Sequence, residues 1–225
     1  MLKQQQWRFK IRPRASEGWT WERYFVPIDY LDESDATEEI KKYYYSAMES
    51  ELKAFKAKRF VSKNPHFCLR LKWLNAMFPD AYYILIWRDP RAVVNSLYQK
   101  MHEEWNKPLI IDFVNNYQGW KSIKEKFGNN ESDMQTCINY YNHYKETMLN
   151  DLPIVKNRII EIKYESFVKA PREELKRLYD FVGLNWYDKL EKHVPLILEQ
   201  ENNEKWKMLP TNEIEMLEKA FPTYN

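Results

Sequence analysis

Glycine and cysteine are scarce in this sequence, and it contains no long apolar run. Of 225 residues, four are glycine and two are cysteine. Cys68 and Cys137 are too few for a disulfide framework and match no zinc-ligand spacing, so we expect both to be reduced core residues. No stretch reaches the roughly 18 apolar residues of a membrane span, and no signal-peptide run opens the chain. We therefore expect a soluble, cytoplasmic protein.

Charge of either sign is not in excess. The 35 basic and 33 acidic residues leave a net charge of +2, which gives no reason to expect a nucleic acid or another polyanion as partner. Hydrophobic residues make up 44% of the chain and aromatic residues 16%, which excludes a disordered protein. The sequence shows no internal repeat and no linker. We therefore predict a single domain over residues 1–225.

An apolar strand followed by a charged turn and a helix is the most informative pattern in the chain. Residues 82–87 have the length and composition of a parallel strand that is buried on both faces. Arg88 follows at its carboxyl end, Asp89 is suited to cap the next helix, and Pro90 suits the first helical position. Ligands of open α/β sheets collect at such strand ends.

A hydroxyl and an ammonium group follow Arg88 on this helix. Ser96 and Lys100 are one turn apart and therefore share a helix face. Helix amino ends favour anions. Arg88, Ser96 and Lys100 are therefore candidates to bind one anionic group.

The rest of the chain predicts an α/β architecture, a parallel sheet flanked by helices. Strands are expected at residues 59–62, 82–87 and 158–163. Helices are expected at residues 34–58, 109–127 and 132–149, and from Pro171 to near Gly183.

Several of these segments together resemble a known enzyme family. Lys63, Asn64 and Pro65 close the first predicted strand, FPDA at residues 78–81 leads into the next, and Arg88 precedes Ser96 by eight positions. Residues 158–184 and the closing segment EKWKMLPTNEIEMLE follow in the family's order. The chain thus resembles the sulfotransferases that use 3′-phosphoadenosine 5′-phosphosulfate, in the branch of tyrosylprotein sulfotransferases and bacterial relatives.

The resemblance implies roles for individual residues. It implies that Arg88 and Ser96 hold the 3′-phosphate of the donor and that Lys100 matches a basic position one turn on. It places Tyr164 near the adenosine and makes Lys205 a further nucleotide contact. It implies no metal.

One part of the family pattern has no counterpart here. The family begins with a strand and a glycine-rich loop of the type PRSGTT, whose N–H groups cradle the 5′-phosphosulfate. None of the four glycines opens a helix after a strand. The expectation is a P-loop-NTPase-like three-layer fold that lacks its first strand and phosphate loop. The chain would then be a truncated member, or a shortened form that takes the loop from another chain.

The implied reaction is sulfuryl transfer to an acceptor hydroxyl or amine. Lys63 matches the family lysine that supports the departing phosphate. Glu17 lies where relatives place a glutamate base, and His66 is the second candidate base, because other sulfotransferases have a histidine close behind that lysine. The acceptor is not specified by the sequence, and protein tyrosine, carbohydrate, lipid and small metabolites all stay open.

Two other classes of function stay open as well. The chain would be a noncatalytic relic if it keeps the 3′-phosphate half-site and lacks the means to transfer sulfate. It would be another P-loop phosphotransferase if Arg88 meets a different phosphate, although no G-x-x-x-x-G-K-[ST] motif is present.

Overall fold

The computed structural model of the protein describes residues 30–104, 120–198, 203–222 and 224. These residues fall into two compact units. The first unit holds residues 30–80 and 144–154, and the second holds residues 81–104, 120–143, 155–198, 203–222 and 224. A single domain over the whole chain stays a prediction.

The described residues form nine α-helices and two β-strands. The helices are α1 (Glu38–Phe55), α2 (Leu71–Met77), α3 (Pro90–Glu104), α4 (Trp120–Phe127), α5 (Asp133–Asp151), α6 (Tyr164–Lys169), α7 (Pro171–Phe181), α8 (Asp188–Glu191) and α9 (Thr211–Ala220). The strands are β1 (Tyr83–Trp87) and β2 (Ile159–Lys163). Short 3-10 helices cover Glu33–Asp35, Pro65–Leu69, Leu152–Val155 and Lys205–Met208.

The predicted helices over residues 34–58 and 132–149 and after Pro171 are confirmed as α1, α5 and α7. Of the helix predicted over residues 109–127, α4 covers the end, and residues 109–119 lie outside the described part. Each helix in the described part of the chain is too short or too polar to span a bilayer.

Capping and aromatic packing build the first unit. Thr37 precedes α1, and its hydroxyl accepts the Ile40 N–H at 3.4 Å, which satisfies a backbone donor of the first turn. The helix ends at Lys56, which has a left-handed φ of 51°. Tyr44 of α1 and Trp73 of α2 are fully buried. Their rings pack edge to face, with 5.4 Å between the ring centres. These contacts join α1 to α2 inside the first unit.

The strand predicted over residues 59–62 is wrong. These residues are irregular, and the sheet of the described residues contains only β1 and β2. Exposure alternates along the segment, with Phe60 and Ser62 half-buried and Val61 80% exposed, but no strand in the described residues pairs with it. Asn64 instead caps the 3-10 helix Pro65–Leu69, with its side chain accepting the His66 N–H at 2.9 Å.

The other two predicted strands are confirmed, each beginning one residue later than expected. They pair in parallel, with Tyr83 opposite Ile159 and Trp87 opposite Lys163. The Tyr83 N–H donates to the Arg158 carbonyl at 2.7 Å at the start of the ladder. The α/β class is therefore confirmed, with two parallel strands described where three were predicted.

The expectation that β1 is buried on both faces is wrong. Ile84 and Ile86 are 47% and 60% exposed, although their register partners Ile160 and Ile162 on β2 are buried. Register partners in parallel strands point to the same face of the sheet. That face is therefore covered over β2 and left open over β1.

The core of the second unit lies beside the sheet, between helices distant in sequence. Its buried side chains come from α3, α5, α9 and the residues just before and after α9. They are Ala92, Val94, Met134, Cys137, Ile138, Trp206, Leu217 and Phe221. Cys68 and Cys137 are thiols, as predicted. Cys137 lies in this core, where burial raises its pKa, whereas Cys68 is half-buried in the first unit.

Replacement of a core leucine tests this packing. Leu217→Ala removes a fully buried side chain, so we expect the free energy of unfolding to fall by about 2–5 kcal/mol. The control Leu196→Ala makes the same change at an exposed position and is expected to change it by less than about 0.5 kcal/mol. Urea denaturation measures both, and equal effects would contradict this description of the core.

Candidate functional site

The parallel pairing of β1 and β2 brings two pairs of functional side chains to one edge of the sheet. Trp87 lies opposite Lys163 at the carboxyl ends of the strands. Arg88 and Asp89 therefore leave β1 beside the point where Tyr164 and Glu165 leave β2 and open α6. Ligands in parallel α/β sheets bind at such an edge.

Arg88 contacts Tyr164 directly. Its guanidinium carbon lies 4.6 Å from the centre of the Tyr164 ring, a cation–π contact worth about 0.5–2 kcal/mol. Its Nε donates to the Asn203 side-chain oxygen at 2.9 Å. Both Arg88 and Tyr164 are half-buried. Arg88, which the resemblance assigns to the 3′-phosphate, and Tyr164, which it places near the adenosine, are thus neighbours.

Glu165 is the polar centre of this edge. One of its carboxylate oxygens accepts the Asp89 N–H at 3.0 Å and the Asn203 side-chain N–H at 3.4 Å. The other accepts the Tyr224 hydroxyl at 3.1 Å. Burial, and secondly the Glu165 charge, raises the pKa of Tyr224, which keeps that hydroxyl a donor. Glu165 therefore connects three parts of the chain: Asp89 in the turn after β1, Asn203, and Tyr224 near the carboxyl terminus.

Asp89 performs the capping role predicted for it. Its carboxylate accepts the Arg91 N–H at 2.9 Å, and α3 begins at Pro90 as expected. The same carboxylate pairs with the Arg91 guanidinium, with an Nη2–Oδ2 distance of 2.8 Å. Arg91 in turn lies over the buried ring of Trp206 at 4.6 Å. The amino end of α3 is thereby fixed against the segment that precedes α9.

A cleft of about 560 Å³ opens beside these residues. Three cations and three carboxylates line it together with polar and aromatic side chains. They are Arg91, Lys169, Lys207, Asp89, Glu165, Glu204, Asn203, Trp206 and Tyr224. Arg88 does not line the cleft itself but bonds to one of its lining residues, Asn203. The cleft thus lies where a ligand of this fold class is expected.

Ser96 and Lys100 lie on an exposed face of α3, one turn apart, as predicted. Lys205 is exposed at the start of the 3-10 helix Lys205–Met208, next to the buried Trp206. Their contacts with a nucleotide stay predictions. Glu17 lies outside the described residues.

Asn203 is a site residue that the sequence did not reveal. Its partner Arg88 is 115 positions away. No local pattern distinguishes Asn203 from its neighbour Asn202 in the segment ENNEKW. Only the fold shows which asparagine meets the arginine.

Lys63 and His66 belong to the first unit. Lys63 is exposed, and His66 lies in the 3-10 helix Pro65–Leu69. The His66 Nδ1 is 2.6 Å from the Tyr144 hydroxyl. Burial, and secondly the charges of Arg70 and Lys63, lower the pKa of His66 to about 4. His66 is therefore neutral at neutral pH.

No group of three histidine, cysteine, aspartate or glutamate side chains in the described ranges is arranged to hold a metal ion. That the reaction needs no metal stays a prediction.

The protonation of His66 is a measurable consequence of this environment. We expect its imidazole to stay neutral from pH 8 down to pH 5 and to titrate at about pH 4. Since the unfolded chain binds this proton near pH 6.5, the neutral histidine stabilises the fold above that pH, and this contribution is lost as the pH falls toward 4. Long-range ¹H–¹⁵N NMR of the imidazole measures the titration. In Lys63→Met the pKa of His66 should rise, because the charge of Lys63 lowers it. Titration of His66 near pH 6.5 in the unaltered protein would contradict its burial.

Comparisons with known proteins agree with this geometry. A model described as the sulfotransferase family matches residues 2–188. Protein-tyrosine sulfotransferase A of Caenorhabditis elegans is 27% identical over 143 residues, which cover 63% of this chain and 32% of that protein. Protein-tyrosine sulfotransferase 1 of Danio rerio is 26% identical over 173 residues, which cover 74% of this chain and 42% of that protein. The chain thus spans less than half the length of these two relatives.

A solved structure supports the same assignment at the level of the fold. The sulfotransferase domain from the curacin biosynthetic pathway matches with a TM-score of 0.53 at 17% identity, covering 82% of this chain and 68% of that one. The predicted P-loop-like fold is thereby confirmed. Because the family model covers most of the sequence, the chain belongs to the sulfotransferase family.

Proposed function

We propose that the protein transfers a sulfuryl group from 3′-phosphoadenosine 5′-phosphosulfate to an acceptor hydroxyl or amine. The observation that most supports this is the Arg88 guanidinium on the Tyr164 ring at the carboxyl ends of β1 and β2. A cation and an aromatic face side by side suit a phosphate and an adenine that belong to one nucleotide.

In this proposal Arg88 and Ser96 bind the 3′-phosphate of the donor. Lys100 adds positive charge one turn further along α3, and its exposure leaves the ammonium accessible to a ligand. Tyr164 borders the adenosine, and Lys205 approaches the nucleotide from the segment before α9. Charge-assisted hydrogen bonds from several donors suit a dianionic phosphate.

The reaction breaks one S–O bond and forms a new S–O bond with a hydroxyl acceptor or an S–N bond with an amine. The acceptor oxygen or nitrogen attacks sulfur with a lone pair, and the electrons of the breaking bond remain on the 5′-phosphate oxygen of the departing 3′-phosphoadenosine 5′-phosphate. Lys63 stabilises the charge that develops on this phosphate. The acceptor proton passes to a base.

Glu17 and His66 are the two candidates for that base. His66 is neutral at neutral pH, which is the state in which an imidazole accepts a proton. Its low pKa makes it a weak base, because efficient bases have a pKa near the working pH. Glu17 therefore stays the first candidate.

A protein tyrosine is the acceptor that the relatives favour, since two of them are named protein-tyrosine sulfotransferases. A phenol also ionises more readily than an alcohol, so it needs less help from a base. Carbohydrate, lipid and metabolite hydroxyls present the same reacting atom and form the comparison set for an acceptor screen.

The donor site is tested with the desulfonated product. We expect calorimetric titration with 3′-phosphoadenosine 5′-phosphate to give saturable binding that weakens at least about tenfold in Arg88→Ala, because a charged hydrogen-bonding group is lost. Arg177→Ala is the matched control, since Arg177 pairs with Glu174 on an exposed surface. If the folded, unaltered protein does not bind 3′-phosphoadenosine 5′-phosphate, the proposal is contradicted.

Turnover separates an enzyme from a noncatalytic relative. Release of 3′-phosphoadenosine 5′-phosphate from the donor is measured with a tyrosine-containing peptide as acceptor. We expect Lys63→Ala to lower the turnover rate by about 10²-fold, with Lys63→Arg partly active, while the affinity for the product changes little. If the protein binds the product and shows no turnover with any acceptor, the noncatalytic alternative holds.

A further inference from the structure

Two contacts hold the Arg88 guanidinium. Its central carbon lies over the Tyr164 ring, 4.6 Å from the ring centre. Asn203 accepts a hydrogen bond from Nε within the guanidinium plane at 2.9 Å. An arginine side chain otherwise has many rotamers, and holding it in one costs conformational entropy. Contacts made before a ligand arrives reduce this cost at the moment of binding.

The Asn203 amide is itself held in the orientation that Arg88 needs. Its nitrogen donates to Glu165 at 3.4 Å, and the same carboxylate oxygen accepts the Asp89 N–H at 3.0 Å. Arginine only donates and an ionised carboxylate only accepts. The amide therefore has one arrangement that satisfies both neighbours, with its oxygen toward Arg88 and its nitrogen toward Glu165.

We propose that Asn203 and Glu165 are positioning residues that hold Arg88 ready for the 3′-phosphate of the donor. This inference rests on the proposed donor site. It gives the segment before α9 a second connection to the nucleotide, distinct from the predicted contact of Lys205. Asn203 acts on Arg88 from the protein side, whereas Lys205 is exposed at the protein surface.

The charge of Glu165 makes the two possible roles of this carboxylate separable. A carboxylate close to Arg88 opposes a bound phosphate by like-charge repulsion. If electrostatics governed its effect, both Glu165→Gln and Glu165→Ala would strengthen nucleotide binding. If Glu165 holds Asn203, Glu165→Gln keeps an oxygen acceptor and conserves binding, whereas Glu165→Ala weakens binding.

The test compares two nucleotides that differ in the group that Arg88 is proposed to hold. Calorimetry measures the affinities of 3′-phosphoadenosine 5′-phosphate and of adenosine 5′-phosphate, which lacks the 3′-phosphate. We expect Asn203→Ala and Glu165→Ala to weaken the first about tenfold and the second less than about twofold. Asn185→Ala, at an exposed position of the same unit, is the matched control and should change neither.

A second measurement reports Arg88 without any nucleotide. The Arg88 Nε–H signal in ¹⁵N-edited NMR should exchange slowly with water in the unaltered protein and in Glu165→Gln, and faster in Asn203→Ala and Glu165→Ala. The urea unfolding midpoint of each variant identifies any that fail to fold, and Glu165→Gln then still distinguishes positioning from charge.

The outcomes separate this inference from the proposed function. Nucleotide binding that needs Arg88 and is unaffected by Asn203→Ala would overturn the inference alone. An equal loss of affinity for both nucleotides would also overturn it, because it would indicate a general structural role. No binding of either nucleotide by the unaltered protein would overturn the proposed donor site and this inference together.

Discussion

The parallel register between β1 and β2 is the constraint on which the candidate site depends. Because Trp87 is opposite Lys163, the residues after each strand meet at one edge, and Arg88 reaches the ring of Tyr164. A slip of one residue would move β2 by about 3.3 Å and turn its side chains to the other face. Such a slip would expose Ile160 and Ile162, which are now buried. The apolar face of β2 therefore protects the geometry of the polar edge.

The site and the core of the second unit share one segment of chain. Trp206 packs in the core of this unit, and the Arg91 guanidinium lies over its ring. Asn203, three residues before Trp206, bonds to Arg88. Asp89 connects the two because it caps α3 and pairs with Arg91. Short, charged contacts thus connect the core residue Trp206 to the residues that follow β1.

The sequence was informative where short-range physics decides. Apolar runs located β1 and β2, Asp89 and Pro90 located the start of α3, and the family pattern named Arg88 and Tyr164 before their contact was visible. The predictions from the sequence were wrong where contacts between distant parts of the chain determine the structure. Residues 59–62 have strand-like composition, but no described strand pairs with them. The composition of β1 predicts a fully buried strand, although one of its faces is open. The role of Asn203 was not predictable from the sequence, because its bond to Arg88 spans 115 positions and follows no periodicity.

The open face of β1 bears on the colloidal behaviour of the protein. Backbone groups of successive strand residues point to opposite edges. Because the Tyr83 N–H bonds to Arg158, those of Ile84 and Ile86 face away from β2, while their exposed side chains project from the open face of the sheet. In the described part of the chain β1 pairs with β2 alone, and an apolar strand with a free edge favours pairing with extended segments of other molecules. With a net charge of only +2, little long-range repulsion keeps two molecules apart. The five residues of β1 are therefore suited to self-association in concentrated solution, and a lysine there would oppose it more directly than added charge elsewhere on the surface.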